Sequence, residues 1–122
     1  MTKIYTTDEI VSKAKELAHM IANTEEVEFF KKAEEKINEN QFVREKIASL
    51  KTLQKSAVNF EALGKERGLK VIEEKIEGIE KEIDELPIVQ EFKRSQFEVN
   101  QLLQLVSNAI ANSVTDEVIE ST

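Results

Sequence analysis

The sequence contains no cysteine and no tryptophan, and only one histidine, one proline and three glycines in 122 residues. Without cysteine the chain forms no disulfide, no thiolate zinc site and no cysteine-ligated iron–sulfur cluster of its own. So few glycines and prolines cannot supply the many turns of an all-β protein. A lone histidine makes a poor metal site, and a catalytic role needs a partner held at hydrogen-bond distance, so His19 reads as a surface or boundary residue. The opening residues, MTKIYTTDEI, lack the apolar core of a signal peptide, and no run is apolar enough to cross a bilayer. No membrane association and a cytoplasmic location are therefore expected.

What the chain has in abundance is charge, with 34% Asp, Glu, Lys and Arg and a net charge of -7. An acidic balance disfavours unaided binding of RNA or DNA, because phosphate neutralisation needs clustered cations. The length fits one domain, residues 1–122, that buries roughly two-thirds of its unfolded surface. Its end, TDEVIEST from Thr115 to Thr122, reads as a frayed tail or the stub of a longer one.

Apolar spacing predicts helices throughout. Thr6 and Glu9 form a capping-box pattern ahead of a stripe at Ile10, Ala14, Leu17, Ala18 and Ile21. Asn23-Thr24 interrupts it, and Glu25-Glu26 suit the first turn of a second helix with Val27, Phe30, Ala33 and Ile37 inward. The Asn38-Glu39-Asn40 punctuation precedes a third helix, from residue 41 to about 63, along Val43, Ile47, Leu50, Leu53, Ala57 and Phe60. GKERG, Gly64 to Gly68, reads as the corner of a helical hairpin, flexible or partly helical. Leu69, Ile72, Ile76, Ile79, Ile83 and Leu86 then give an unbroken 3-4 seam for antiparallel packing, crossed by Gly78. Pro87 marks a bend into a last helix.

That last helix carries Val89, Phe92, Val99, Leu103, Val106 and Ile110 on one row and Leu102, Leu105 and Ala109 on a second. Together they exceed the roughly 100° stripe of a surface helix. Sixteen residues of it, Val99 to Val114, carry no charge. The expectation is that one row packs on the preceding hairpin while the other meets a second copy or another protein. The interface candidates are Phe97, Leu102, Leu105, Ala109, Val106 and Ile110. Arg44, Lys46, Lys51 and Lys55, opposed only by Glu45, are the candidate contacts for RNA phosphates or an acidic partner. The carboxylates of Glu34-Glu35, Glu73-Glu74 and the group from Glu80 to Glu85 alternate with lysines as on a solvated helix face. GKERG lacks the spacing, the preceding strand and the Lys-Ser/Thr of a P-loop. No catalytic, cofactor or metal residue is assigned. The expected fold is all-α, with about five helices, a long antiparallel hairpin over 41–86 and a long C-terminal helix in an oligomeric helical bundle.

LAHMIANTEEVEFFKKAEEKINEN, then Leu53-Gln54, then LPIVQEFKRSQFEVNQLLQLVSNAI, resembles the YlbF/YmcA family of small helical bacterial proteins over residues 4 to about 119. Ser95-Gln96-Phe97-Glu98-Val99-Asn100 is most similar to the YmcA branch. The match is most visible at Pro87, Phe92, Glu98, Asn100, Leu103 and Val106. The resemblance implies a non-enzymatic regulator of Gram-positive bacteria, a homodimer or hetero-oligomer with YlbF-like and YaaT-like proteins. It links that complex to biofilm formation, competence and sporulation, and to RNase Y-dependent mRNA processing, with nucleic-acid contact at most indirect. Complexes of this family have been associated with cysteine-ligated iron–sulfur clusters, and here the sequence departs. The cysteines lie on a tail beyond Thr122 or on partners, or this member works without a cluster. The alternatives are a direct RNA-binding helical module and a purely structural coiled-coil oligomer.

Overall fold

Polar side chains that take up free backbone amides start the first three helices of this chain, and the computed structural model describes residues 3–120 of it. The Thr6 hydroxyl accepts from the Glu9 amide while the Glu9 carboxylate accepts from the Thr6 amide, closing the capping box that opens α1 (Thr7–Ala22). Thr24 Oγ1 donates to the Ile21 carbonyl and accepts from the Val27 amide, joining the end of α1 to the start of α2 (Glu25–Glu39). Asn40 Oδ1 accepts from the Val43 amide at 2.9 Å and caps α3 (Gln41–Ala62). α4 spans Glu66–Asp84 and α5 spans Pro87–Glu120. The fold is all-α, with no strand among the described residues.

The hairpin corner is shorter than the glycines suggest. α3 ends in a Schellman arrangement: the Lys65 amide donates to the Phe60 carbonyl, the Gly64 amide to the Glu61 carbonyl, and Gly64 takes a left-handed φ of 67°. Gly68 already lies inside α4. A β-carbon there would stand 2.5 Å from Phe60 Cε2, so this glycine serves close packing of the Phe60 ring.

The chain divides into two compact units, and α2 and α5 contribute to both. One comprises Lys32–Arg94. Here α3 and α4 are the helices whose backbones run closest, as the 3-4 seam predicts. Ala33, Val43, Ile72 and Val89 are buried, flanked by half-buried Ile47, Leu50, Ile76 and Ile83. Lys46 Nζ meets Glu82 Oε2 at 2.6 Å between α3 and α4. At the Pro87 corner, Asp84 holds Lys93 through its carboxylate at 2.5 Å and accepts from Gln90 through its carbonyl. Pro87 occupies the first position of α5, where its missing amide hydrogen costs nothing.

The other unit joins the residues up to Lys31 with those from Ser95 on. In it the last helix lies beside α1 and the beginning of α2. Val89, at the head of the row that continues through Val99, Leu103, Val106 and Ile110, is buried in the hairpin unit, whereas Leu103, Val106 and Ile110 line a groove shared with α1. α1 supplies the facing wall of that groove with a 4-3-4 row at Ile10, Ala14, Leu17 and Ile21. The helix α5 continues through Glu120, with Thr115 Oγ1 donating to the Ala111 carbonyl. Val114 and Val118 extend the apolar spacing beyond Ile110, which favours helix there. Ser121 and Thr122 of the expected tail lie outside the described residues.

Candidate functional site

Two grooves run along α5 in the unit that contains α1. The first lies between α1 and α5. Ile10, Ala14, Leu17, Ala18 and Ile21 face Leu103, Val106 and Ile110 across about 400 Å³ of open space, with Lys13 and Ser107 at its edge. Amphipathic helices in one chain normally close such a seam, yet Ile10 is 58% exposed and Ile110 53%. The second groove, about 580 Å³, is lined by Leu102, Leu105, Gln101, Gln104 and Asn108, with Glu98 of α5 and Glu26 of α2. Leu105 is 69% exposed.

These positions sort the interface candidates. Val106 and Ile110 line the α1–α5 groove, and Leu102 and Leu105 line the other. Phe97 is 61% exposed and stands one helical turn before Gln101, while Ala109 is exposed and lines neither groove. α1 was missed as part of the surface. The signal was present, since its spacing matches that of α5, but a stripe does not reveal whether its own chain covers it.

The basic candidates separate as well. Arg44, Lys51 and Lys55 are exposed and, at spacings of seven and four, share one face of α3. Lys46 lies on another face, paired with Glu82 and 5.3 Å from the centre of the Phe42 ring. It therefore does not join a basic patch, because its charge is already engaged in holding α3 to α4.

Titratable groups offer little specialised chemistry. The Glu9 carboxyl is held below its ordinary value, chiefly by the hydrogen bond from the Thr6 amide and then by Lys3. Both are capping and surface interactions. His19 is exposed, and its carbonyl accepts from Asn23 Nδ2. Among the described residues no three His, Asp or Glu side chains converge as a metal site, and no helix is long and apolar enough to cross a membrane.

The sequence and the fold both have known relatives. The family described as "Control of competence regulator ComK, YlbF/YmcA" matches residues 10–115. The chain belongs to the YlbF/YmcA family. It is 50% identical over 119 residues to the protein YmcA of Bacillus subtilis (strain 168), across 98% of this chain and 83% of that one, which places it in the YmcA branch. A chain in the X-ray crystal structure of Bacillus subtilis RicA in complex with RicF shares the fold with a TM-score of 0.83 at 25% identity. That match covers 93% of this chain and 99% of the other. The YlbF/YmcA family is thus one whose description is regulatory, and the matched structure is that of a complex.

Proposed function

We propose that this chain is a non-enzymatic regulatory scaffold. It acts as one subunit of a hetero-oligomer with a related YlbF-like protein and a YaaT-like protein. The complex modulates RNase Y-dependent mRNA processing and, through it, competence, biofilm formation and sporulation. The observation that carries the assembly reading is the open α1–α5 groove, whose walls carry apolar rows at helical spacing from both helices while Ile10, Leu103 and Ile110 stay exposed. Such a helix pair is half of a four-helix bundle, and a second pair from a related subunit completes it. Each Ile or Leu fully covered in this way contributes about 1.5–3 kcal/mol, so several are needed to offset the cost of association. The regulatory part draws support from the family description, and the hetero-oligomeric part from the complex of RicA with RicF. Any RNA chemistry belongs to the nuclease.

The reading is tested by mixing the chain with the YlbF-like subunit of the same host and following sedimentation velocity. Ile10→Asp/Ile110→Asp is expected to abolish the complex while far-ultraviolet circular dichroism keeps its helical signal. A complex of unchanged stability in that variant overturns the assembly surface. In the host, the same substitutions are expected to reproduce the transcript-end pattern of a deletion. A deletion that leaves RNase Y-dependent transcripts unchanged overturns the RNA-processing part.

A further inference from the structure

The groove on the far flank of α5 differs in chemistry from the one facing α1. At 3.6 residues per turn, Gln101, Leu105 and Asn108 lie roughly opposite Leu103 and Ile110 around the helix axis, with Leu102 between the two sets, so the far groove is centred on a different face of α5 from the one that faces α1. The lining of the α1–α5 groove includes one cation, Lys13, and no carboxylate. The lining of the far groove includes two carboxylates, Glu26 and Glu98, and no cation. Between them the wall is two leucines and three amides, and the amides both donate and accept hydrogen bonds.

We propose that this groove docks a basic amphipathic helix of a further protein partner. Two aliphatic side chains of that helix, three or four residues apart, seat against Leu102 and Leu105. A lysine or arginine of the same helix meets Glu26 and Glu98, while Gln101, Gln104 and Asn108 take up its polar flank. From Glu98 to Asn108 the wall runs about 15 Å along α5, the length of a partner helix of roughly ten residues. Charge complementarity selects this occupant. An acidic helix, including the carboxylate-rich α4 of a second copy, would bring like charges against Glu26 and Glu98. The scaffold then holds two different proteins on one helix, the related subunit on one side and the basic helix on the other.

The test uses two fluorescein-labelled helical peptides with identical leucine spacing, one flanked by lysines and one by glutamates, and measures anisotropy with the full chain. The lysine peptide is expected to bind about tenfold more tightly at low salt, with the preference lost at high salt. Glu26→Gln/Glu98→Gln should erase that preference, and Leu105→Asp should abolish binding with the circular dichroism unchanged. Absence of binding by the lysine peptide, or equal binding of both peptides, overturns the proposal. The measurement is repeated with the YlbF-like subunit bound. Undiminished peptide affinity supports separate grooves, whereas competition assigns this groove to the subunit's footprint and overturns the proposal while leaving the assembly reading intact. Displacement of a homo-oligomer by the lysine peptide likewise assigns the groove to a second copy and overturns it.

Discussion

Gly68 and Gly78 sit on one helix, yet a β-carbon meets opposite surroundings at each. At Gly78 it finds nothing within 4 Å, so Gly78→Ala should raise the stability measured by urea unfolding by about 0.5–1 kcal/mol. At Gly68 it runs into the Phe60 ring, and Gly68→Ala should lower stability by about 1–3 kcal/mol. The capping box offers a second residue-scale prediction. Thr6→Ala removes the hydroxyl half of the box and should cost about 1 kcal/mol. Because the folded Glu9 carboxyl lies below its unfolded value, its contribution is complete above the ordinary carboxylate range and is lost as pH falls through the lowered value. An NMR titration of Glu9 should therefore show a depressed midpoint that rises in Lys3→Ala. Thr6 and Asn40 were legible as caps because capping is a local contact between neighbours in sequence. The GKERG corner leaves open whether Gly68 is helical, because its reason for being glycine is a ring eight residues away across the turn.

At the scale of elements, the hairpin and the last helix differ in how much of their apolar surface the chain covers. α3 and α4 bury Val43 and Ile72, whereas no large apolar residue of α5 beyond Ser95 is fully buried. Backbone amides of α5 from about residue 103 to 120 should exchange hydrogen faster than those of α3 in the isolated chain, and should gain protection when the YlbF-like subunit is added. Equal protection of both helices in the isolated chain would contradict the assignment of α5 to assembly. The five helices were readable because their stripes, caps and the Pro87 bend are periodic or local signals. The partner of α5 was not readable, since α1 and the α3–α4 hairpin offer apolar rows of similar spacing. Only the three-dimensional arrangement assigns Leu103 and Ile110 to α1.

For the whole molecule, an excess of seven negative charges is spread over a chain whose last helix has none from Val99 to Val114. Net charge keeps such a protein apart from its copies, and a neutral stretch marks where contact carries no like-charge penalty. The composition indicated assembly in this way, although it could not divide the apolar rows into two grooves of different chemistry. That division depends on Glu26, which lies far from Glu98 in sequence and beside the same groove in space. The unit containing both grooves is also built from the two ends of the chain, whereas the hairpin unit is one continuous segment. On a ribosome the hairpin can therefore form while α1 still waits for the strand of sequence beyond Ser95. A chain that stops between Arg94 and Leu103 has the whole hairpin unit but lacks Leu103, Val106 and Ile110 of the α1–α5 groove. Because α1 and the later part of α5 share one unit, the groove between them can form only after the hairpin has been synthesised.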